Sequence, residues 1–291
     1  MLSSLRLTAG LCKLLKHSLM QRDLRPVYQW GAARRVLLQT THGQAASRWA
    51  ASFLQTFGYL WRFTMATQDK PDFDGRLIPF YGGEHPHLFE IERRCMDRDG
   101  KVIRFLDQIL PQGLVLDIGA GNGFTATRLI RPERFIIPLE PDARMIDHSQ
   151  PLVWAKGVAQ AIPFHDGTFD AAYATWAFFF DGVADILQGL NDAQRVVKLN
   201  GLLVIVDNAG DDEFCALAPR NIASNRVWWK EQGFQETILH TSYRFDSLEE
   251  ANTLLSFYFG EEAGKHNQKT EVEYDVVVYT MRVKMIPESE V

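Results

Sequence analysis

Residues 114–123 read LVLDIGAGNG, a short apolar run that ends in glycines at alternate positions, Gly119, Gly121 and Gly123. A run this poor in polar side chains is what a parallel strand buried on both faces requires. Glycines at its end let the chain reverse tightly into a helix, and let a ligand lie against backbone where no Cβ intervenes. The helix that begins there offers unpaired N–H groups to an anionic group such as a carboxylate. In the dinucleotide-binding fingerprint the third glycine falls at the sixth position, which is Phe124 here, so the spacing disfavours NAD.

Working outward, residues 122–131 have helical character and 135–139 return to strand character, which makes the unit a strand–turn–helix–strand crossover. Glu140 closes the second strand, at the crevice where open α/β sheets bind ligands. A carboxylate there can accept both hydroxyls of a ribose; a solvated strand-end acid or a helix N-cap is the other reading of Glu140 alone. Upstream, apolar positions from Leu88 to Leu110 recur at helical spacing until Pro111, which predicts one or two helices leading into the sheet. Downstream the pattern predicts a helix near 142–149, a short strand near Val153, a strand over 169–174, a helix over 183–197 and a strand over 202–206. This alternation is that of an α/β doubly wound sheet with helices on both faces. The tail departs from it, with strands over 236–245 and 272–283 on either side of a helix over 248–259.

The 291 residues are 46% apolar with a net charge of −5, but the charge is divided. Residues 1–64 hold nine Lys or Arg against Asp23 alone, a net +8, and the remainder carries −13. An acidic body argues against nucleic acid as a partner, because phosphate-backbone binding is driven by clustered Lys and Arg. The leucine-, arginine- and serine-bearing, acid-poor first 64 residues have transit-peptide composition. A basic surface helix, or an upstream extension with translation starting at Met65, fits them as well. The expected location is intracellular, mitochondrial if the extension is a transit peptide and cytoplasmic otherwise. No apolar run approaches the roughly 20 residues of a membrane-spanning helix. Cys12, Cys95 and Cys215 match no metal or redox spacing and read as reduced thiols.

LVLDIGAGNG, followed in order by IPLEPDARM, VAQAIPFHDGTFDAAYAT and VVKLNGLLVIVD, resembles the ordered motifs of class I S-adenosylmethionine-dependent methyltransferases, in the small-molecule group similar to quinone-biosynthesis enzymes. The resemblance spans roughly residues 85–283. It implies a mostly parallel seven-stranded sheet with an antiparallel last strand and a helical insertion before it. It further implies a methyltransferase domain over 111–285 behind a helical cap over 65–110, with S-adenosyl-L-methionine as cofactor. Carried over by position, Asp117, Gly119, Ala120 and Gly121 would meet the amino-acid and sulfonium side of the cofactor, and Glu140 its ribose. Pro141 and Met145 would flank the adenine, Ala159 and Gln160 would meet its edge, and Ala174 and Thr175 would line the path past the methyl group. The chain departs from the pattern twice: Val158 stands where relatives often carry an acid, and Trp176-Ala177-Phe178-Phe179-Phe180 where they often carry a histidine. No general base is supported at that place, and no catalytic residue is assigned.

Methyl transfer from a sulfonium needs positioning more than a side-chain base. His148, His165 and His240 are isolated in sequence, and the His85/His87 pair lacks the further ligands that a metal would need. Trp176, Phe179, Asn208 and Tyr81 are the residues expected at the acceptor. The aromatic ones favour a small apolar or aromatic molecule. A noncatalytic binding protein of the same fold is the alternative, and nothing in the sequence names the acceptor or the oligomeric state.

Overall fold

The computed structural model describes residues 81–177 and 186–284. The basic extension over 1–64, Phe179, the first residues of the helix expected from 183 and the Tyr81 side chain lie outside the described residues.

β1 (Gly113–Ile118), β2 (Arg134–Glu140), β3 (Ala155–Lys156), β4 (Phe169–Thr175), β5 (Val197–Asn208), β6 (Gln235–Arg244) and β7 (Glu271–Arg282) form one sheet in the order β3-β2-β1-β4-β5-β7-β6. β3, β2, β1, β4 and β5 pair in parallel, while β7 runs antiparallel to both β5 and β6. This is the expected α/β, doubly wound, mostly parallel seven-stranded sheet with an antiparallel last strand. The strand order reverses between β1 and β4, which is the switch point where such sheets open a crevice beyond their carboxyl ends. Val115, Leu116, Leu139, Ala172, Leu203 and Val204 are all fully buried along the central strands. Burial of each larger aliphatic side chain contributes about 1.5–3 kcal/mol.

The apolar run before Pro111 folds as two helices, α1 (Pro86–Cys95) and α2 (Lys101–Ile109). Asp97 and Gly100 between them take φ of +48° and +68°. The Asp97 carboxylate accepts the N–H groups of Lys101 and Val102, at 2.9 and 2.7 Å, and so caps α2. α2 buries Val102 and Leu106, one turn apart, against the sheet. Its far end is tied down by the buried guanidinium of Arg134 on β2. Arg134 donates to the carbonyls of Asp107, Leu110, Pro111 and Leu129 at 2.8–3.2 Å, and to the Asp107 carboxylate at 2.7 Å.

α3 (Phe124–Leu129) follows the glycine turn, and α4 (Ile186–Val196) joins β4 to β5. α5 (Glu213–Ala216) and α6 (Arg226–Glu231) lie between β5 and β6. α7 (Leu248–Phe259) and α8 (Glu261–His266) form the helical insertion before β7. The Ser247 hydroxyl caps α7 and Gly260, at φ +94°, ends it. Phe214, Tyr243, Phe245 and Tyr274 stack beneath this tail, with Phe214 and Tyr243 4.5 Å apart in parallel. No helix among the described residues is long and apolar enough to cross a membrane.

One local expectation fails. Residues 142–149 form turns, not a helix. The Asp142 carboxylate accepts the Arg144 N–H and the Asp147 carboxylate the Ser149 N–H, both at 2.9 Å, and such side-chain bonds compete with the helical ladder. The short strand expected near Val153 is Ala155–Lys156, which pairs in parallel with Leu139 and Glu140 on β2.

Candidate active site

The glycine turn is held from β2. The N–H groups of Gly119 and Ala120 both donate to the Leu139 carbonyl, at 2.9 and 3.1 Å, and the N–H of Gly121 donates to Glu140 Oε2 at 2.8 Å. The other Glu140 oxygen accepts the Asp142 N–H at 2.9 Å. Gly119, Gly121 and Gly123 take φ of +69°, +56° and +80°, which explains why these positions exclude larger residues. A Cβ at Gly119 would lie 2.5 Å from that of Ala177, beyond β4. One at Gly121 would lie 3.4 Å from Phe89 Cζ and 3.6 Å from Met145 Cε.

Two buried carboxylates stand beside this turn. Burial pushes Glu140 up to about 7 against the pull of its two backbone donors. Burial likewise pushes Asp117 up to about 7; the neighbouring Tyr173 hydroxyl opposes the shift and the Glu140 charge adds to it. Neither Asp117 oxygen has a partner at normal hydrogen-bond geometry; the Tyr173 hydroxyl, itself buried without one, is the polar group beside it. An orphaned buried carboxylate is costly in a folded protein, and a bound cationic donor would offset that cost.

Asp117, Gly119, Ala120, Gly121, Glu140 and Met145 are therefore brought together at one end of the sheet, with half-buried Pro141 between the last two. Ala174 pairs in register with Ile118, which sets Ala174 and Thr175 beside the same turn. Buried Ala159 and Gln160 lie in a tight bridge from Val158 to Ala161, and the Gln160 carbonyl accepts from Gln188 on α4 at 3.2 Å.

Trp176, expected at the acceptor, follows β4 with φ +46°. Its indole Nε1 donates to the Tyr274 hydroxyl at 2.5 Å, and that hydroxyl donates to Asn208 Oδ1 at 2.6 Å. The Arg93 guanidinium lies 5.3 Å from the Trp176 ring centroid, 5.5 Å from that of Phe89 and 5.7 Å from that of Phe124. Such distances are those of cation–π contacts. Phe89, Arg93 and Tyr274 are the residues that sequence reasoning missed. Phe89 and Arg93 share a helix face at i, i+4, a signal visible in the chain but not distinguishable from core packing. The backbone turn Tyr81–Gly83 packs close to Asp142 and Arg144, just beyond Glu140.

His148, His165, His85 and His87 are exposed, and His240 pairs with Asp275 at 2.9 Å across β6 and β7. Cys95 and Cys215 are free thiols that burial pushes up to about 12, which makes them poor nucleophiles.

Residues 116–205 match a family described as a methyltransferase domain. A demethylmenaquinone methyltransferase of Thermotoga maritima is 31% identical over 113 residues, 37% of this chain and 48% of that protein. A ubiquinone/menaquinone biosynthesis C-methyltransferase of Geobacter sulfurreducens is 31% identical over 132 residues, 41% of this chain and 49% of the relative. The chain thus spans about half the length of the curated relatives it matches. The crystal structure of the YcgJ protein of Bacillus subtilis aligns with 64% of this chain and 98% of its own, at 18% identity and a TM-score of 0.45. Residues 116–205 thus match a methyltransferase domain, and the chain resembles the class I S-adenosylmethionine-dependent methyltransferases, quinone-biosynthesis enzymes among them.

Proposed function

We propose that the protein transfers a methyl group from S-adenosyl-L-methionine to a small apolar or aromatic acceptor by in-line displacement. The observation that carries this reading is the Asp117 carboxylate, buried and unpartnered beneath a turn of three left-handed glycines. A cofactor that brings an ammonium group supplies the partner Asp117 lacks, and the missing Cβ at Gly121, which would meet only Phe89 and Met145 at van der Waals distance, leaves backbone for it to approach. Asp117, Gly119, Ala120 and Gly121 would hold its amino-acid end. Glu140 would hold the ribose; Pro141, Met145, Ala159 and Gln160 the adenine; and Ala174 and Thr175 the methyl path. When bound, the sulfonium supplies an already activated methyl group.

The chain's own task is then to orient the acceptor and exclude water. An acceptor that arrives ionised, as a phenolate or carboxylate does, needs no general base, which agrees with the aromatic stretch after β4. The acidic balance of residues 65–291 favours a small-molecule partner over nucleic acid. We read residues 111–285 as the catalytic body and α1–α2 as part of its cap.

Calorimetric titration with S-adenosylhomocysteine and with NAD tests the cofactor: binding of the first and not the second is expected, and the reverse would sink the proposal. Release of S-adenosylhomocysteine in a screen of phenols, quinols, amines and carboxylates then separates an enzyme from a binding protein.

A further inference from the structure

A bulky residue at φ +46°, as Trp176 is, persists only where its surroundings hold it there. Trp176 is held from two sides. From the sheet, its N–H donates to the Val206 carbonyl at 2.9 Å and its indole to the Tyr274 hydroxyl at 2.5 Å. From the cap, the guanidinium of Arg93 lies 5.3 Å from its ring centroid. The chain of bonds continues from the Tyr274 hydroxyl to Asn208 Oδ1 at 2.6 Å, and from Asn208 Nδ2 to the Ile222 carbonyl at 3.0 Å.

Donor chemistry fixes the direction of this chain. An indole N–H can only donate, so Tyr274 accepts from it and spends its single proton on Asn208. Burial, with the nearby Asp207 charge, holds the Tyr274 phenol well above its ordinary range, so it stays protonated and is no base. Asn208 in turn gives one amide hydrogen to the Ile222 carbonyl and carries a second. Tyr274 itself is fully buried and sits on β7, 98 residues from Trp176.

We propose that Tyr274 is a positioning residue for the methyl acceptor. It sets the Trp176 indole as a fixed flat wall and orients the Asn208 carboxamide as a hydroxyl reader beside it. The acceptor class this fits is a planar aromatic molecule bearing an oxygen nucleophile, a phenol or quinol. The inference rests on the methyl-transfer reading above and names its acceptor. A wall braced before the ligand arrives spares the ordering cost that a freely rotating side chain would impose on binding.

The test titrates 1-naphthol into the full chain loaded with S-adenosylhomocysteine and follows tryptophan emission. Trp176→Phe identifies the share of the signal that belongs to Trp176. Quenching by 1-naphthol is expected in the wild type and is expected to vanish in Trp176→Phe. Tyr274→Phe, which keeps the ring and loses the hydroxyl, is expected to bind 1-naphthol about tenfold more weakly, the worth of a hydrogen bond, with unchanged affinity for S-adenosylhomocysteine. Asn208→Ala breaks the same chain at its far end and is read in the same way should Tyr274→Phe not fold. Its loss is expected for 1-naphthol and not for naphthalene.

Absence of 1-naphthol binding to the loaded wild type, or wild-type binding by Tyr274→Phe, overturns the proposal. So does an equal loss of S-adenosylhomocysteine affinity in Tyr274→Phe, which would mark a residue that holds only the fold. Failure of the wild type to bind S-adenosylhomocysteine, seen before any 1-naphthol is added, overturns the cofactor reading and this proposal together.

Discussion

Glu140 Oε2 accepts the backbone N–H of Gly121 at 2.8 Å, so one side chain at the end of β2 fixes the glycine turn at the end of β1. The same carboxylate also orders the loop after its own strand through the Asp142 N–H. A residue first read as a ribose ligand thus has a second role before any ligand arrives.

Glu140→Gln keeps an acceptor oxygen but loses the charge that strengthens both bonds. Charge-assisted hydrogen bonds contribute about 1.5–3 kcal/mol each. Affinity for S-adenosylhomocysteine is expected to fall at least about tenfold by calorimetry. Unchanged affinity would remove Glu140 from the site.

The raised values of Asp117 and Glu140, each about 7, set a pH dependence. Both groups hold protons more tightly in the folded than in the unfolded chain. Their contribution to stability is therefore complete below about pH 4 and is lost as pH rises through about 7. Asp117→Asn cannot ionise, so melts of this variant are expected to lose part of the decline that the ligand-free wild type shows over that window. A cofactor cation favours the ionised carboxylates, so its affinity is expected to rise between pH 5.5 and 7.5 in the wild type and to stay flatter in Asp117→Asn.

The glycines separate a structural role from a binding one. Gly119→Ala places a Cβ 2.5 Å from Ala177 at φ +69°, and is expected to cost about 2–4 kcal/mol of stability. Gly121→Ala meets Phe89 and Met145 only at 3.4–3.6 Å, so its cost is the left-handed strain alone, about 1–2 kcal/mol. Thermal melts should rank Gly119→Ala the less stable, while calorimetry should show Gly121→Ala folded but weakened toward S-adenosylhomocysteine.

Arg134→Met removes the guanidinium that satisfies four carbonyls at the ends of α2 and α3, and leaves Asp107 without one of its two arginine partners. Loss of a buried charged donor from such a network costs about 3–5 kcal/mol. A large drop in the denaturation midpoint is expected, with cofactor affinity retained below it. A midpoint close to the wild type would mean that water replaces the guanidinium.

Much of this was legible in the chain because the signals are local. The alternation of short apolar runs with helical periods sets the sheet, and the glycine spacing sets the turn beside which Asp117 and Glu140 gather. The helix expected over 142–149 was misread because Asp142 and Asp147 capture N–H groups two residues ahead, a competition that hydrophobic periodicity does not register.

The sequence by itself determined the fold class and the glycine turn beside which Asp117 and Glu140 stand, since each follows from local patterns of residues. Only the tertiary structure decided that Asp117 lacks a partner at hydrogen-bond geometry, that Arg93 of α1 lies over Trp176, and that Tyr274 reaches Trp176 and Asn208 from the last strand. The physical reason is sequence distance: a hydrogen bond between residues 98 positions apart leaves no periodic trace in either segment. It exists only because β7 inserts antiparallel beside β5 and brings Tyr274 to the end of the sheet where β4 stops.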